Sequence, residues 1–238
     1  MSAPRRPIPL VALVLIALAA GACGGDDDST TSAGDGTPLT GVLTIDAGQC
    51  TDGEVTAGSS FRMVQPGGTV KDGPFVVNGD SPCGDKTWTP LRAGLAAGLR
   101  LGEYQPQQAN PFDATGNATS NAIIQPQKWF AVAFGLATNE RDPQTNKKTH
   151  VPTVVVDGNK LTGDLSALAA SWNGQHFNQG APKPGGSMPG ATTEVKGTYD
   201  ESTGRYTLTW TSQVVGGPFN NFTGVWRLSG PVVEEEPQ

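Results

Sequence analysis

A strict alternation of apolar and polar side chains near the C-terminal end constrains the fold of this chain most. In RYTLTWT, residues 205–211, Tyr206, Leu208 and Trp210 fall on one face, and three threonines fall on the other. Successive side chains of a β-strand point to opposite faces, so this pattern predicts a strand with one face in a core. TTEVKGTY (192–199) precedes it and FTGVWRL (222–228) follows, with turn residues between them. The three segments predict an antiparallel meander.

Shorter segments along the chain fit the same architecture. The apolar run VVV at 154–156 leads through Asp157-Gly158-Asn159 into KLT, which predicts a hairpin. KWFAVAFGL (128–136) predicts one central strand, and 32 glycines and 19 prolines indicate many turns. We expect an all-β fold, a single-domain antiparallel β-sandwich or flattened barrel. Its predicted core contains Phe130, Val132, Phe134, Leu208, Trp210, Trp226 and Leu228.

Two segments leave room for one or two short helices. DLSALAAS (164–171) permits two helical turns, although a strand fits it as well. Leu91, Leu95 and Leu99 follow Thr89-Pro90 at helical spacing, with an N-cap residue and a proline at the first position. Gly94 and Gly98 oppose that helix, because each costs about 1 kcal/mol in a helix interior.

The N-terminus has the features of an export signal. Arg5 and Arg6 precede an unbroken apolar run from Leu10 to Ala20, which is too short to span a bilayer. The run ends in AGAC, which resembles the lipobox of bacterial lipoproteins, with small residues before a cysteine. The resemblance implies cleavage before Cys23, lipid attachment to its thiol and anchoring on the extracytoplasmic face of the cell membrane. An ordinary cleaved signal peptide, and therefore a secreted protein, is the alternative.

These features predict four regions. Residues 1–22 are a lipoprotein signal peptide, and residues 23–39 are a flexible polar tether. Residues 40–230 form the β-rich domain, and residues 231–238 form an acidic disordered tail. Removal of the signal leaves 14 basic against 22 acidic residues, a net charge of −8. That charge, without a basic cluster, argues against nucleic acid as a partner and leaves the membrane as the expected one.

The remaining two cysteines predict a disulfide. With Cys23 carrying lipid, Cys50 and Cys83 form an even pair in turn-rich contexts outside the membrane, where disulfides persist. A cysteine-based metal site is the alternative, but no CxxC spacing supports it.

One polar and aromatic stretch, SWNGQHFNQG (171–180), is the candidate binding region. Rings stack on the apolar faces of sugars and amides bind hydroxyls, so the stretch suits a carbohydrate or another envelope ligand. The candidate ligand-binding residues are Trp172, Asn173, His176 and Asn178. The structural alternative is that the amides cap turns while the rings anchor a loop to the core.

Catalytic motifs are absent from the sequence. It contains no GxSxG, HExxH or P-loop, and its two histidines, His150 and His176, have no ligand or base at a recognisable offset. We therefore expect no catalytic residues, no metal and no cofactor.

A weaker resemblance covers about residues 95–230. The strings GEYQPQ, LTGDLSA, SWNGQHFNQG, GTYDESTGRYTLTW and GGPFNNFTGVWRLSG resemble a β-rich module of exported bacterial proteins. The resemblance implies one coherent extracellular domain and carries over no site. The expected function is a non-catalytic binding or structural module, and a hydrolase of envelope or extracellular polymers is the alternative.

Overall fold

Residues 36–234 are described by a computed structural model, and β-strands are their only regular structure. The predicted signal peptide, Cys23, most of the tether and residues 235–238 lie outside this range. No helix within 36–234 is long and apolar enough to cross a membrane. The strands are β1 (Thr37–Pro38), β2 (Val42–Thr44), β3 (Gln49–Thr51), β4 (Glu54–Ala57), β5 (Ser60–Thr69), β6 (Gly73–Phe75), β7 (Thr89–Pro90), β8 (Gly98–Arg100), β9 (Gln127–Trp129), β10 (Val132–Thr138), β11 (Thr153–Asp157), β12 (Lys160–Asp164), β13 (Leu168–Trp172), β14 (Gln175–Asn178), β15 (Val195–Asp200), β16 (Arg205–Gln213) and β17 (Thr223–Val233).

The all-β prediction is confirmed, and the predicted meander forms the centre of the larger sheet. This antiparallel sheet curls into a half-barrel with the order β1-β11-β12-β15-β16-β17-β2-β8. The N-terminal half of β17 also pairs with β5, in a register that places Trp226 beside Phe61. The predicted hairpin around Gly158 joins β11 to β12. β17 therefore pairs with its sequence neighbour β16 and with two strands from far earlier in the chain, β5 and β2.

A second, four-stranded sheet with the order β14-β13-β10-β9 covers the inner face of the larger one. Aromatic rings join the two layers, because Phe134 of β10 contacts Phe61 and Trp226 at centroid distances of 5.6 and 6.4 Å. Trp210 and Trp226 stack in parallel at 5.9 Å and are fully buried. The expected core positions Phe134, Leu208, Trp210, Trp226 and Leu228 are confirmed.

The prediction of one strand over 128–136 is wrong. The chain turns back at Phe130 and Ala131, both with positive φ, so that β9 and β10 form a hairpin. Phe130 is 49% exposed instead of lying in the core, Val132 is only partly buried, and Trp129 is the buried residue. A two-residue turn of this hand favours Asn or Gly, so local sequence carried no signal for it.

Neither of the two segments that left room for a short helix is helical in residues 36–234. Residues 89–99 contain β7, a turn, and the start of β8, and Leu95 is 87% exposed. Gly94 N–H and Leu95 N–H donate to the carbonyls of Ile123 and Asn121 instead of to a helical turn. Residues 164–171 take the strand alternative, with the end of β12 and most of β13.

Strand pairing defines both ends of the domain, and a disulfide links β3 to the segment before β7. Pro38 of β1 pairs with Val155, and β17 continues to Val233, so strand structure begins within the predicted tether and ends within the predicted tail. Interstrand hydrogen bonding at both ends accounts for the difference. Cys50 and Cys83 form the predicted disulfide, with a Cα–Cα distance of 5.3 Å.

Candidate functional site

The predicted binding stretch is a tight hairpin between β13 and β14. Asn173 and Gly174 form its two-residue turn with φ of 49° and 70°. Asn-Gly is a strong hairpin signal, so the sequence itself indicates this turn within the candidate binding stretch.

The hairpin places only two of the four candidate residues, His176 and Asn178, on the same face. Ser171 pairs with His176 and Ala170 pairs with Phe177, so consecutive positions point to opposite faces of the sheet. Trp172 therefore lies on the same face as Phe177, whereas His176 lies on the other face, and Asn173 occupies the turn. The structure does not bring the four side chains to one surface.

Trp172 acts as a clamp on the β9–β10 turn. Trp129 and Val132 are the residues on either side of that turn. The indole Nε1 of Trp172 donates to their carbonyls, at 2.8 and 3.2 Å. Ala131 N–H, within the turn, donates to Asp80 Oδ2 at 2.6 Å. These contacts hold two non-glycine residues in a left-handed conformation that costs roughly 1–3 kcal/mol each.

His176 belongs to a small polar cluster. Its Nδ1 lies 3.0 Å from both Ser171 Oγ and Gln107 Nε2, and its ring packs on Phe112. Burial lowers the pKa of His176, and the charge of Asp142 opposes that effect. No carboxylate within residues 36–234 hydrogen-bonds this histidine, and Ser171 is buried. Ser171 is therefore not accessible as a nucleophile beside this histidine.

Asn178 lies in a buried polar network. Its Nδ2 donates to Asp142 Oδ1 at 3.3 Å and to the Ser166 carbonyl at 3.0 Å. Lys183 Nζ donates to the carbonyl of Asn178 and to Ser212 Oγ, at 2.7 and 2.6 Å. Burial lowers the pKa of Lys183 to about 7, against the attraction of Asp142. These groups join the 178–183 segment to β16 and are enclosed by protein.

Two open clefts lie elsewhere, on the larger sheet. The Trp88 cleft, about 460 Å³, lies across β5, β17, β16 and β15. The Asp46 cleft, about 530 Å³, lies beside it, and Arg227 lines both. Sequence reasoning missed this surface, because its residues, from Asp46 to Ser229, come from segments up to about 180 positions apart. Serine and threonine hydroxyls line both clefts. These residues are Ser60, Thr193, Thr198, Thr203, Thr207, Thr209, Thr211 and Ser229.

The strand register arranges many of these groups in rows on the outer face. Thr207 lies directly between Thr198 and Ser229 across three strands. Thr209 lies between Lys196 and Arg227 in the next row. Neighbouring groups within a row are thus one interstrand spacing apart, about 4.8 Å.

Three cations and three carboxylates line the two clefts, and among residues 36–234 Arg227 and Asp200 are the two that form no ion pair. Lys196 Nζ binds Glu194 at 2.9 Å, and Arg205 binds Asp46. Arg227 is exposed, and its guanidinium has no hydrogen-bond or carboxylate partner among residues 36–234. The hydroxyls of Thr198 and Thr207 likewise have no partner in that range. Donors free of internal bonds are available to a ligand at the junction of the clefts.

The wall of the Trp88 cleft is supported by the disulfide. Cys83 ties the segment carrying Trp88 to β3, and Asp85 N–H donates to the Gly53 carbonyl at the tip of the β3–β4 hairpin. Arg62 lies over the rings of Phe75 and Trp88, at 3.1 and 4.5 Å from their centroids. Burial lowers the pKa of Arg62, opposed by Asp85 and Glu54. These contacts hold an aromatic ring at the edge of the cleft.

The described chain contains no group of three or more histidine, cysteine, aspartate or glutamate side chains suited to a metal ion. Comparison with known proteins adds no relationship: no family model, no curated protein and no solved structure matches the chain.

Proposed function

We propose that this chain is an exported lipoprotein, anchored through Cys23, whose β-rich domain is a non-catalytic module that binds a glycan of the cell envelope. The lipobox-like motif supports the anchoring, and the oxidised cysteine pair is consistent with a compartment outside the cytoplasm. The observation that carries the binding function is the pair of clefts meeting at Arg227.

The chemistry of the clefts matches a carbohydrate. Sugar hydroxyls both donate and accept hydrogen bonds, as do the threonine hydroxyls in the two rows. Arg227 adds a planar set of donors at the junction. Trp88 and its neighbour Val55 supply an apolar wall, against which the apolar face of a pyranose ring packs.

The open shape of the clefts favours binding along a polymer over enclosure of a small molecule. Both clefts are open to solvent on the larger sheet, and Arg227 lines both of them. The charges that line the clefts balance, which suits a neutral glycan.

The test is cosedimentation of the full chain, in mild detergent, with purified peptidoglycan sacculi, together with a glycan array. We expect binding that Arg227→Met weakens at least about fivefold, because the variant removes the free donors at the junction. Arg92→Met is the matched control, since Arg92 is exposed, carries the same charge and lies outside both clefts. Absence of binding to sacculi and to every glycan on the array, or equal weakening by both variants, would contradict the proposal.

A further inference from the structure

The Trp88 cleft is lined by four apolar side chains that are partly or largely exposed, those of Val55, Val70, Trp88 and Val225. Val225 of β17 lies directly beside Arg62 of β5 in the strand register. The Arg62 guanidinium lies 4.5 Å from the centre of the Trp88 ring, so the ring is held close to Val225. Val70 is 41% exposed at the edge of the cleft. Exposed apolar groups gathered in one cleft offer contact to an apolar part of a ligand.

The threonine hydroxyls of this cleft are engaged within the protein. Thr211 Oγ1 donates to the Ala191 carbonyl, and Thr193 Oγ1 accepts from the Thr211 backbone N–H at 3.0 Å. Thr209 Oγ1 donates to the Lys196 carbonyl at 3.4 Å, which leaves its lone pairs able to accept a hydrogen bond. The Trp88 cleft therefore offers apolar contact and few hydroxyl donors to a ligand.

Arg227 supplies the missing donors beside the apolar side chains. It lies two residues from Val225 on the same face of β17, so their Cα atoms are about 7 Å apart. Thr209 is its cross-strand neighbour. The Arg227 guanidinium forms no ion pair or hydrogen bond with any residue from 36 to 234. A free donor, a free acceptor and an apolar side chain are thus immediate neighbours.

We propose that the Trp88 cleft recognises the acetamido group of an N-acetylhexosamine, an inference that rests on the proposed glycan-binding function. The acetamido carbonyl accepts from the Arg227 guanidinium, and the acetamido N–H donates to Thr209 Oγ1. The methyl group packs against Val225, and the apolar face of the sugar ring packs against Trp88. The rest of the glycan extends past Arg227 into the Asp46 cleft.

Each of these contacts uses a part of the acetamido group that other sugar substituents lack. A hydroxyl at the same position has no methyl group to remove Val225 from water. An acetyl ester has the methyl and the carbonyl but no N–H for Thr209. A protonated amine brings its positive charge towards Arg227. The cleft therefore favours an N-acetylated sugar over its hydroxyl, ester and amine counterparts.

The test compares chitohexaose with cellohexaose, measured by calorimetry on the full chain in mild detergent. The two hexasaccharides share one β-1,4-linked backbone and differ in carrying an acetamido group or a hydroxyl at C2. We expect the wild type to bind chitohexaose at least about fivefold more tightly. Removal of one methyl group from water contributes about fourfold, and the hydrogen bonds of the amide add to it.

Two shape-conserving variants test the assigned contacts separately. Val225→Thr replaces the methyl contact by a hydroxyl, and Thr209→Val removes the acceptor for the amide N–H. Each should lower the ratio of chitohexaose to cellohexaose affinity about threefold. Val233→Thr and Thr153→Val are the matched controls, since both residues are exposed on strands and lie outside both clefts. Neither control should change the ratio.

Three results would overturn the inference. Equal affinity of the wild type for the two hexasaccharides would do so and leave the proposed glycan binding in place. A preference for chitohexaose that survives in both Val225→Thr and Thr209→Val would place acetamido recognition elsewhere. Failure to bind either hexasaccharide also overturns the inference, whereas the proposed function fails only if sacculi and every glycan on the array are unbound as well. Thr209 is exposed, so Thr209→Val decides between these outcomes even if Val225→Thr does not fold.

Discussion

Lys183 should make the stability of the domain depend on pH between about 7 and 10. Lys183 is 6% exposed, and its ammonium group lies between the Asn178 carbonyl and Ser212 Oγ, without a carboxylate in contact among residues 36–234. Burial lowers its pKa from 10.5 to about 7 in the folded chain. Between these values the unfolded chain binds the proton and the folded chain releases it, so the free energy of unfolding rises with pH.

The magnitude follows from the two pKa values. At about 1.36 kcal/mol per pH unit, the difference between 10.5 and about 7 corresponds to roughly 5 kcal/mol. Below pH 7 both states are protonated and the full penalty applies, whereas above about 10.5 it has disappeared. Lys183→Met removes this titration but leaves the Asn178 carbonyl without its donor, at a cost of about 1–3 kcal/mol. The variant should gain stability relative to wild type at pH 6 and lose that advantage towards pH 10.

The assay is urea unfolding at 25 °C at several pH values from 6 to 10, with the disulfide intact. The quantity of interest is the difference in unfolding free energy between variant and wild type, because all other titrating groups cancel in it. Lys71→Met is the matched control, since Lys71 is exposed on a turn. A difference for Lys183→Met that is flat with pH, as for Lys71→Met, would refute the assignment of a buried, readily deprotonated amine.

Four further predictions address the anchor and the core. Mass spectrometry of the mature N-terminus should find a diacylglyceryl group on Cys23, and Cys23→Ala should release the protein from the membrane; an unmodified cysteine contradicts this. Trp226→Ala should cost roughly 3–5 kcal/mol in urea unfolding, because it empties the contact between the sheets; a loss below 1 kcal/mol would contradict it. Trp172→Phe should lower the free energy of unfolding by about 1–3 kcal/mol, because it leaves two carbonyls unpaired, and amide hydrogen exchange at the β9–β10 turn should accelerate. Unchanged exchange at that turn would contradict the role of Trp172 in holding it. Replacing Cys50 and Cys83 together by serine should cost about 4 kcal/mol for a loop of 33 residues and weaken glycan binding; unchanged binding would show that the Trp88 wall holds without the bridge.

The binding candidates show where sequence reasoning reached its limit. The composition of 171–180 indicated a polar and aromatic site, yet the two-residue period of the strands sends Trp172 and His176 to opposite faces. The Asn173-Gly174 turn contained the information needed to see this, because a tight turn sets the register of both strands.

The clefts were beyond prediction from local sequence. The rows on the outer face lie on the predicted meander of β15 to β17, whereas Asp46, Val55 and Trp88, which complete the clefts, come from segments far earlier in the chain. What these sites can bind depends on which distant segments of the chain become neighbours in the fold.

The sequence by itself determined the all-β class, the meander of β15 to β17, the buried face of Leu208 and Trp210, and the cysteine pair. Each of these depends on local periodicity, turn residues or an even count, which the chain carries wherever it lies in space. Only the tertiary structure decided that Phe130 and Ala131 form a turn, because Asp80 and the Trp172 indole hold it from distant parts of the chain. A strained local conformation persists when contacts from other elements stabilise it by more than the strain costs, and no local pattern records those contacts.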